Sequence, residues 1–188
     1  MAVFSIAFDI ERFPVLQENA LELSMQTTTG ELADLDGKPV LDNWQPVDLE
    51  WLVDGQDTKQ GLPDITLWRA GLFACNQKAK SALSDMLGSD AEFLPLRVGD
   101  TPWFAIHILT TVDAIDQQHT ELNYRANGQP SRTRRFKKLV LKEEALANIA
   151  ICHITDAGMA TFCSESFKRK VEESGIKGLI FKQHETKS

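Results

Sequence analysis

Metal binding, nucleophilic attack and acid–base catalysis each require certain residue types at certain spacings, and this 188-residue chain offers a few candidates for each. For a metal ion there are Cys152 and its neighbour His153, then Cys163, with His107 and His119 upstream. Structural zinc sites use close pairs such as Cys-x2-Cys or His-x3-His, a spacing these residues lack. Adjacent residues of a strand also point to opposite faces, so Cys152 and His153 are badly placed to share an ion. No metal and no cofactor are therefore expected. For a nucleophile there is no Gly-x-Ser-x-Gly elbow. Cys75 stands just before a predicted helix, whose N-terminus would lower a thiol pKa, although packing as a small apolar filler is the commoner role. Asp113 and Asp116, with Glu121 nearby, are the right types for paired-carboxylate catalysis. At a bend, aspartates more often accept backbone N–H bonds and fix the turn. Gly175-Ile176-Lys177-Gly178 follows a helix instead of opening one, which argues against a phosphate cradle. The run from Arg132 to Lys138 holds five bases in seven residues, beside Phe136 and Tyr124. That composition suits a nucleic-acid backbone, or equally a strand edge protected by charge.

The elements that must hold these groups follow from periodicity and punctuation. Val3–Phe8 and Val47–Val53 are rich in β-formers and read as strands. Between them, Thr27–Pro46 is polar and broken by Gly30, Asp36-Gly37, Pro39 and Pro46, which predicts loops with a hairpin near Asp36-Gly37. Residues 19–25 read as a helical turn or irregular chain, and the polar stretch Asp54–Gly61 reads as a mobile loop. From Leu62-Pro63-Asp64-Ile65 the chain enters a helical region. Within it Asn76 is a plausible N-cap, Ala79, Leu83 and Leu87 form a stripe, and Gly88 ends the helix. Ala91–Val98 and Trp103–Leu109, joined by Gly99-Asp100-Thr101-Pro102, predict an antiparallel hairpin. Shorter strands are expected at 121–125, 136–141 and 149–154, with a helical turn or two over 142–148. Finally Ser164 caps a helix bearing Phe167 and Val171. Gly175 stops it, Ile176 folds back, and Gly178 releases the strand Leu179-Ile180-Phe181. The whole predicts an α+β protein: one mainly antiparallel sheet with helices packed on one side, in a single domain over 1–188. Residues 1–64 form an acidic, loop-rich part and 65–188 the helix-and-sheet core.

Net charge is −7, distributed as −10 over residues 1–64, −2 over 65–128 and +5 over 129–188. Such asymmetry implies either two surfaces for differently charged partners or two chain ends that neutralise each other in the fold. An acidic balance also disfavours nucleic acid as the principal partner. Three scattered cysteines suit a reducing compartment. No apolar run reaches the roughly 20 residues of a membrane span, and the first residues lack a basic signal-peptide start. A cytoplasmic protein is expected.

Several segments, taken in order, carry a family resemblance: Asp36-Gly-Lys-Pro39 with Asn43-Trp-Gln-Pro46; Leu72-Phe73 before the helix at Lys78–Leu87; Glu92-Phe-Leu-Pro-Leu96; Val112-Asp-Ala-Ile-Asp116; and Phe167 through Val171-Glu-Glu-Ser-Gly-Ile-Lys-Gly-Leu-Ile-Phe181. The chain resembles the bacterial immunity protein family eleven of polymorphic toxin systems. The resemblance implies a non-enzymatic protein that binds and neutralises a cognate toxin by occlusion, and transfers no catalytic residue. On that reading the acidic first third supplies the candidate partner-binding set, Asp34, Asp36, Asp42, Trp44, Asp48 and Glu50. It would face a basic toxin such as a nuclease-type domain, opposed charge raising the on-rate. Trp44 is an interface aromatic or, alternatively, a loop anchor. A regulator binding nucleic acid through 132–138, and a small enzyme reversing toxin damage through the Asp113–Asp116 region with His107 or His119, are the alternatives.

Overall fold

Successive side chains of a strand point to opposite faces of its sheet, and this alternation sorts the molecule into layers. The computed structural model describes residues 1–19, 35, 37–52, 60–69, 72–131 and 135–187. The strands are β1 (Val3–Phe8), β2 (Val15–Glu18), β3 (Val47–Leu52), β4 (Ile65–Arg69) and β5 (Leu72–Asn76). Helix α1 (Gln77–Leu87) leads to β6 (Ala91–Val98), β7 (Thr101–Ile108), β8 (Thr111–Val112), β9 (Glu121–Leu122) and β10 (Phe136–Lys138). Then come β11 (Val140–Lys142), β12 (Ile151–Ile154), β13 (Thr161–Ser164), helix α2 (Glu165–Glu173) and β14 (Leu179–Lys187). Single 3-10 turns occur at Leu41–Asn43 and Glu144–Leu146.

The fold is α+β and mostly antiparallel, but the described strands form two six-stranded sheets and a ribbon where one sheet was expected. The first sheet has the order β11-β14-β1-β13-β12-β8, the second β2-β3-β6-β7-β5-β4, and β9 pairs with β10. Neighbours β3–β6, β11–β14 and β8–β12 run parallel. In β7, Trp103 and Ala105 turn to one face and Ile106 and Ile108 to the other, as a period of two requires. The first of these faces lies inside the second sheet, where all six strands contribute to one core that includes Leu16, Leu49, Trp68, Ala74, Leu94 and Trp103. The sheet curls so that its edge strands β2 and β4 approach. Thr66 Oγ1 donates to the Pro14 carbonyl at 2.8 Å, and Trp68 Nε1 to Glu18 at 2.9 Å.

The two helices lie between the sheets. Ala79, Leu83 and Leu87 of α1 and Phe167 and Val171 of α2 share one core with Phe73 and Ile106 of the second sheet and Phe4, Ile151 and Cys163 of the first. The far face of the first sheet is closed by a third core including Val3, Leu141, Cys152, Ile154 and Phe162. Both helix starts form as their sequences dictate: Asn76 Oδ1 accepts from the Ala79 amide at 3.0 Å and Ser164 Oγ from the Phe167 amide at 3.3 Å.

The region after Ile65 departs from expectation. It forms the β4–β5 hairpin, and α1 begins only at Gln77. Pairing of β5 with β7 places Phe73 and Ala74 on opposite faces of a sheet. Tertiary pairing overrides a weak local preference. Strands β2 and β13 were also unforeseen, both being too short for a clear period. The loop Asp54–Gly61 and the hairpin at Asp36-Gly37 lie largely outside the described residues.

Candidate functional site

The acidic residues proposed for partner binding do not form one patch. Asp34 and Asp36 lie outside the described residues. Asp42 is exposed in the 3-10 turn. Trp44 is half-buried against the core of the second sheet, and its indole N–H donates to the Pro95 carbonyl at 2.7 Å. That contact makes it the anchor of its loop. Asp48 and Glu50 alternate with Val47 and Leu49, which face the core, so both carboxylates project from the opposite face of β3. There Asp48 is bridged by Arg97, with Nη2 to Oδ2 at 2.7 Å, and Glu50 accepts from Gln17 at 3.0 Å. The sheet therefore separates Trp44 from Asp48 and Glu50.

The chemistry-bearing residues are likewise dispersed. Cys75 and Cys163 are buried and desolvation pushes both thiols up, while Cys152 is pushed up to about 12. Burial outweighs any helix N-terminus at Cys75. Cys152 and Cys163 belong to different cores on opposite faces of the first sheet. Among the described residues no group of three or more His, Cys, Asp or Glu could hold a metal ion. Asp116 fixes its turn as anticipated: it accepts from the Gln118 and His119 amides at 2.9 and 3.2 Å and faces His119 Nδ1 at 2.7 Å. The His119 hydrogen bond is the main reason its pKa is lowered. Asp113 projects into solvent near Lys142, and Glu121 pairs with Lys137 at 2.7 Å, so these carboxylates are not gathered around a histidine.

Two polar centres escaped the sequence reading. Glu92, opposite His107 in the β6–β7 register, accepts from His107 Nδ1 at 2.9 Å and from the Val40 and Leu41 amides at 2.8 and 3.2 Å. It ties the loop before β3 to the second sheet. Nearby in sequence, Asp64 accepts from Asn76 Nδ2 at 2.8 Å, Lys78 Nζ at 2.9 Å and the Lys177 amide at 2.9 Å. Burial acts to raise the Asp64 pKa, but these donors prevail and it is lowered. The Asp64 and Ile65 amides both donate to the Lys177 carbonyl at 3.0 Å, so the two sheets are stitched together at this point. Only sequence-distant partners create either centre, which is why no local pattern announced them.

A groove of about 1030 Å³ lies on the outer face of the first sheet. Its floor includes Ser5, Phe162, Lys182 and His184, and its sides are residues 135–139 and the turn 156–160. His184 Nε2 lies 2.8 Å from Ser5 Oγ, and its ring tilts against Phe162 at 5.5 Å. Burial, helped by the neighbouring Lys182 ammonium, lowers the His184 pKa. Of the basic run that drew notice in the sequence, Arg135, Lys137 and Lys138 line this groove, whereas 132–134 lie outside the described residues.

The model of the immunity protein family (Imm11) matches residues 91–186, just over half of the chain. The chain belongs to this family. A comparison with curated proteins returns no match. The stretch that matches the immunity family runs from β6 through almost all of β14, including α2 and the Gly175–Gly178 stop. The acidic residues 34–50 precede it. Within it, Gly175 has φ +60° and open space around it, the left-handed stop expected of it. Gly178 has φ +113° and packs against the Ile65 backbone and Pro63, so it is the closest approach at the stitch between the sheets. No helix among the described residues is long and apolar enough to cross a membrane.

Proposed function

We propose that this immunity protein binds a cognate toxin protein and neutralises it by covering the toxin's working surface, without catalysing a reaction. Membership of the immunity family carries the reading. It is supported by the dispersal of the candidate carboxylates: Asp113 lies in solvent near Lys142, Glu121 pairs with Lys137, and Asp116 fixes its own turn. On this reading the chain acts as one unit in the cytoplasm, its two helices sharing one core with residues of both sheets.

Asp42 and Glu50, both exposed, remain the proposed points of first contact, with a basic, nuclease-type domain as the partner they suit. Trp44 supports that surface by holding the loop. The test is stopped-flow association with the purified product of the neighbouring toxin gene. Asp42→Lys with Glu50→Lys should slow association about tenfold at low salt, the two rates converging as salt screens the field. Unchanged kinetics would remove the acidic surface from the proposal. A wild-type protein that neither binds that toxin nor protects cells against it would sink the immunity reading itself.

A further inference from the structure

The groove on the first sheet is a second surface, opposite in charge to the acidic side. Arg135, Lys137, Lys138 and Lys182 line it, against Asp156 and Glu185. Three of these bases are in exposed ion pairs: Arg135 with Asp156 at 3.5 Å, Lys137 with Glu121 at 2.7 Å and Lys138 with Glu185 at 2.9 Å. Pairs of this kind contribute about 0–1 kcal/mol, so an incoming carboxylate exchanges with them at little cost. Lys182 differs, having no acidic partner among the described residues. It lies directly across from Ser5 in the β1–β14 register, so its side chain leaves the sheet on the same face as those of Ser5 and His184. A strand in the middle of a sheet has placed an unneutralised cation and two further hydrogen-bonding groups in a concave surface.

We infer that this groove binds an acidic polypeptide segment of a protein partner, with a partner carboxylate seated on Lys182 and an apolar side chain against the rim. The volume, about 1030 Å³, is at the top of the range for small-molecule pockets and suits a chain segment better than a metabolite. The rim supplies the apolar contact: Met159 is 67% exposed, an unusual position for a methionine and one well suited to adaptable side-chain packing. The distribution of charge favours peptide over nucleic acid. Asp156 and Glu185 punctuate the bases, so an unbroken row of phosphates would have to pass two carboxylates. A peptide carries its acids only at intervals. Phe136, the aromatic of the basic run, is half-buried against the third core, with Arg135 over its ring at 5.8 Å.

The test uses the full chain and a fluorescein-labelled dodecamer in which Glu and Leu alternate, followed by anisotropy at about 50 mM salt. Saturable binding is expected, weakened at least tenfold by Lys182→Glu and clearly by Lys182→Ala. Lys170→Glu, the same charge change on α2 outside the groove, should alter it less than twofold. Circular dichroism and urea midpoints verify that each variant is folded, and photo-crosslinking of a benzophenone-bearing dodecamer to the wild type should label β14 or residues 135–139. Absence of saturable binding, equal weakening by Lys182→Glu and Lys170→Glu, or crosslinks confined elsewhere would overturn the inference. So would tighter, Lys182-dependent binding of a dT dodecamer, which would make the groove a nucleic-acid site. None of these outcomes depends on the toxin, so the immunity reading stands or falls separately.

Discussion

Replacing Gly178 with alanine is the sharpest probe of how this fold is held together. Its φ of +113° is one that L-residues rarely adopt, and occupying it costs about 1–3 kcal/mol. An added Cβ would also lie 2.9 Å from Pro63 Cβ and 3.1 Å from the Ile65 carbonyl carbon, with the Ile65 oxygen nearer still. Most of these neighbours are backbone, which cannot swing aside as a flexible side chain does. Relief requires the two chains to part, and that stretches the 3.0 Å bonds from the Asp64 and Ile65 amides to the Lys177 carbonyl. Overpacking of this kind costs about 1–3 kcal/mol more. The expected loss is therefore about 4 kcal/mol, which for a chain of this size lowers Tm by about 8–16 °C. Gly175→Ala is the control. Its φ is +60° but nothing lies within 4 Å of the new Cβ, so about 1 kcal/mol is expected, and Gly175→Asn should cost less still. Urea titrations followed by tryptophan fluorescence measure all three. If the two alanine variants lose equal stability within about 0.5 kcal/mol, close backbone approach is not what requires glycine at 178.

Asp64→Asn should cost about 1–3 kcal/mol at pH 7, because a charge-assisted acceptor for Lys78, Asn76 and the Lys177 amide is weakened. The Asp64 pKa is lowered in the folded state, so its contribution is present above the ordinary carboxylate pKa of about 3.9 and is lost as pH falls through the folded value. The gap between the urea midpoints of wild type and variant should narrow as pH falls from about 4 through the lowered folded value, and a gap that stays constant over that range refutes the charge argument. The three thiols should react with a disulfide reagent only on unfolding, since all are buried and their pKa values raised. Rapid labelling of even one at pH 7 in the native protein would contradict that burial.

The parts of the fold legible in the sequence are those where local chemistry and final position agree. Asn76 and Ser164 cap helices in almost any context because a short polar side chain reaches an orphan amide three residues on. The β6–β7 hairpin is announced by a turn between two β-rich runs, and Asp116 by the bend it fixes. The β4–β5 hairpin was misread because each of its strands is only five residues long, and runs that short do not distinguish strand from helix until β7 pairs with one of them.

For the candidate sites the division falls the same way. Sequence by itself determined the family resemblance, the acidic-to-basic gradient and the left-handed glycine stop at 175, since composition and local backbone conformation are properties of the chain. The tertiary structure decided which charges share a surface. It separated Trp44 from Asp48 and Glu50 by turning alternate residues of β3 to opposite faces, and it drew Ser5 and His184 to 2.8 Å across 179 residues of chain. It also gathered Arg135, Lys138 and Lys182 around one groove. Strand pairing sets such neighbours through hydrogen bonds between backbones that carry no record of side-chain identity. A binding surface assembled across paired strands therefore leaves little trace in any one segment of the sequence.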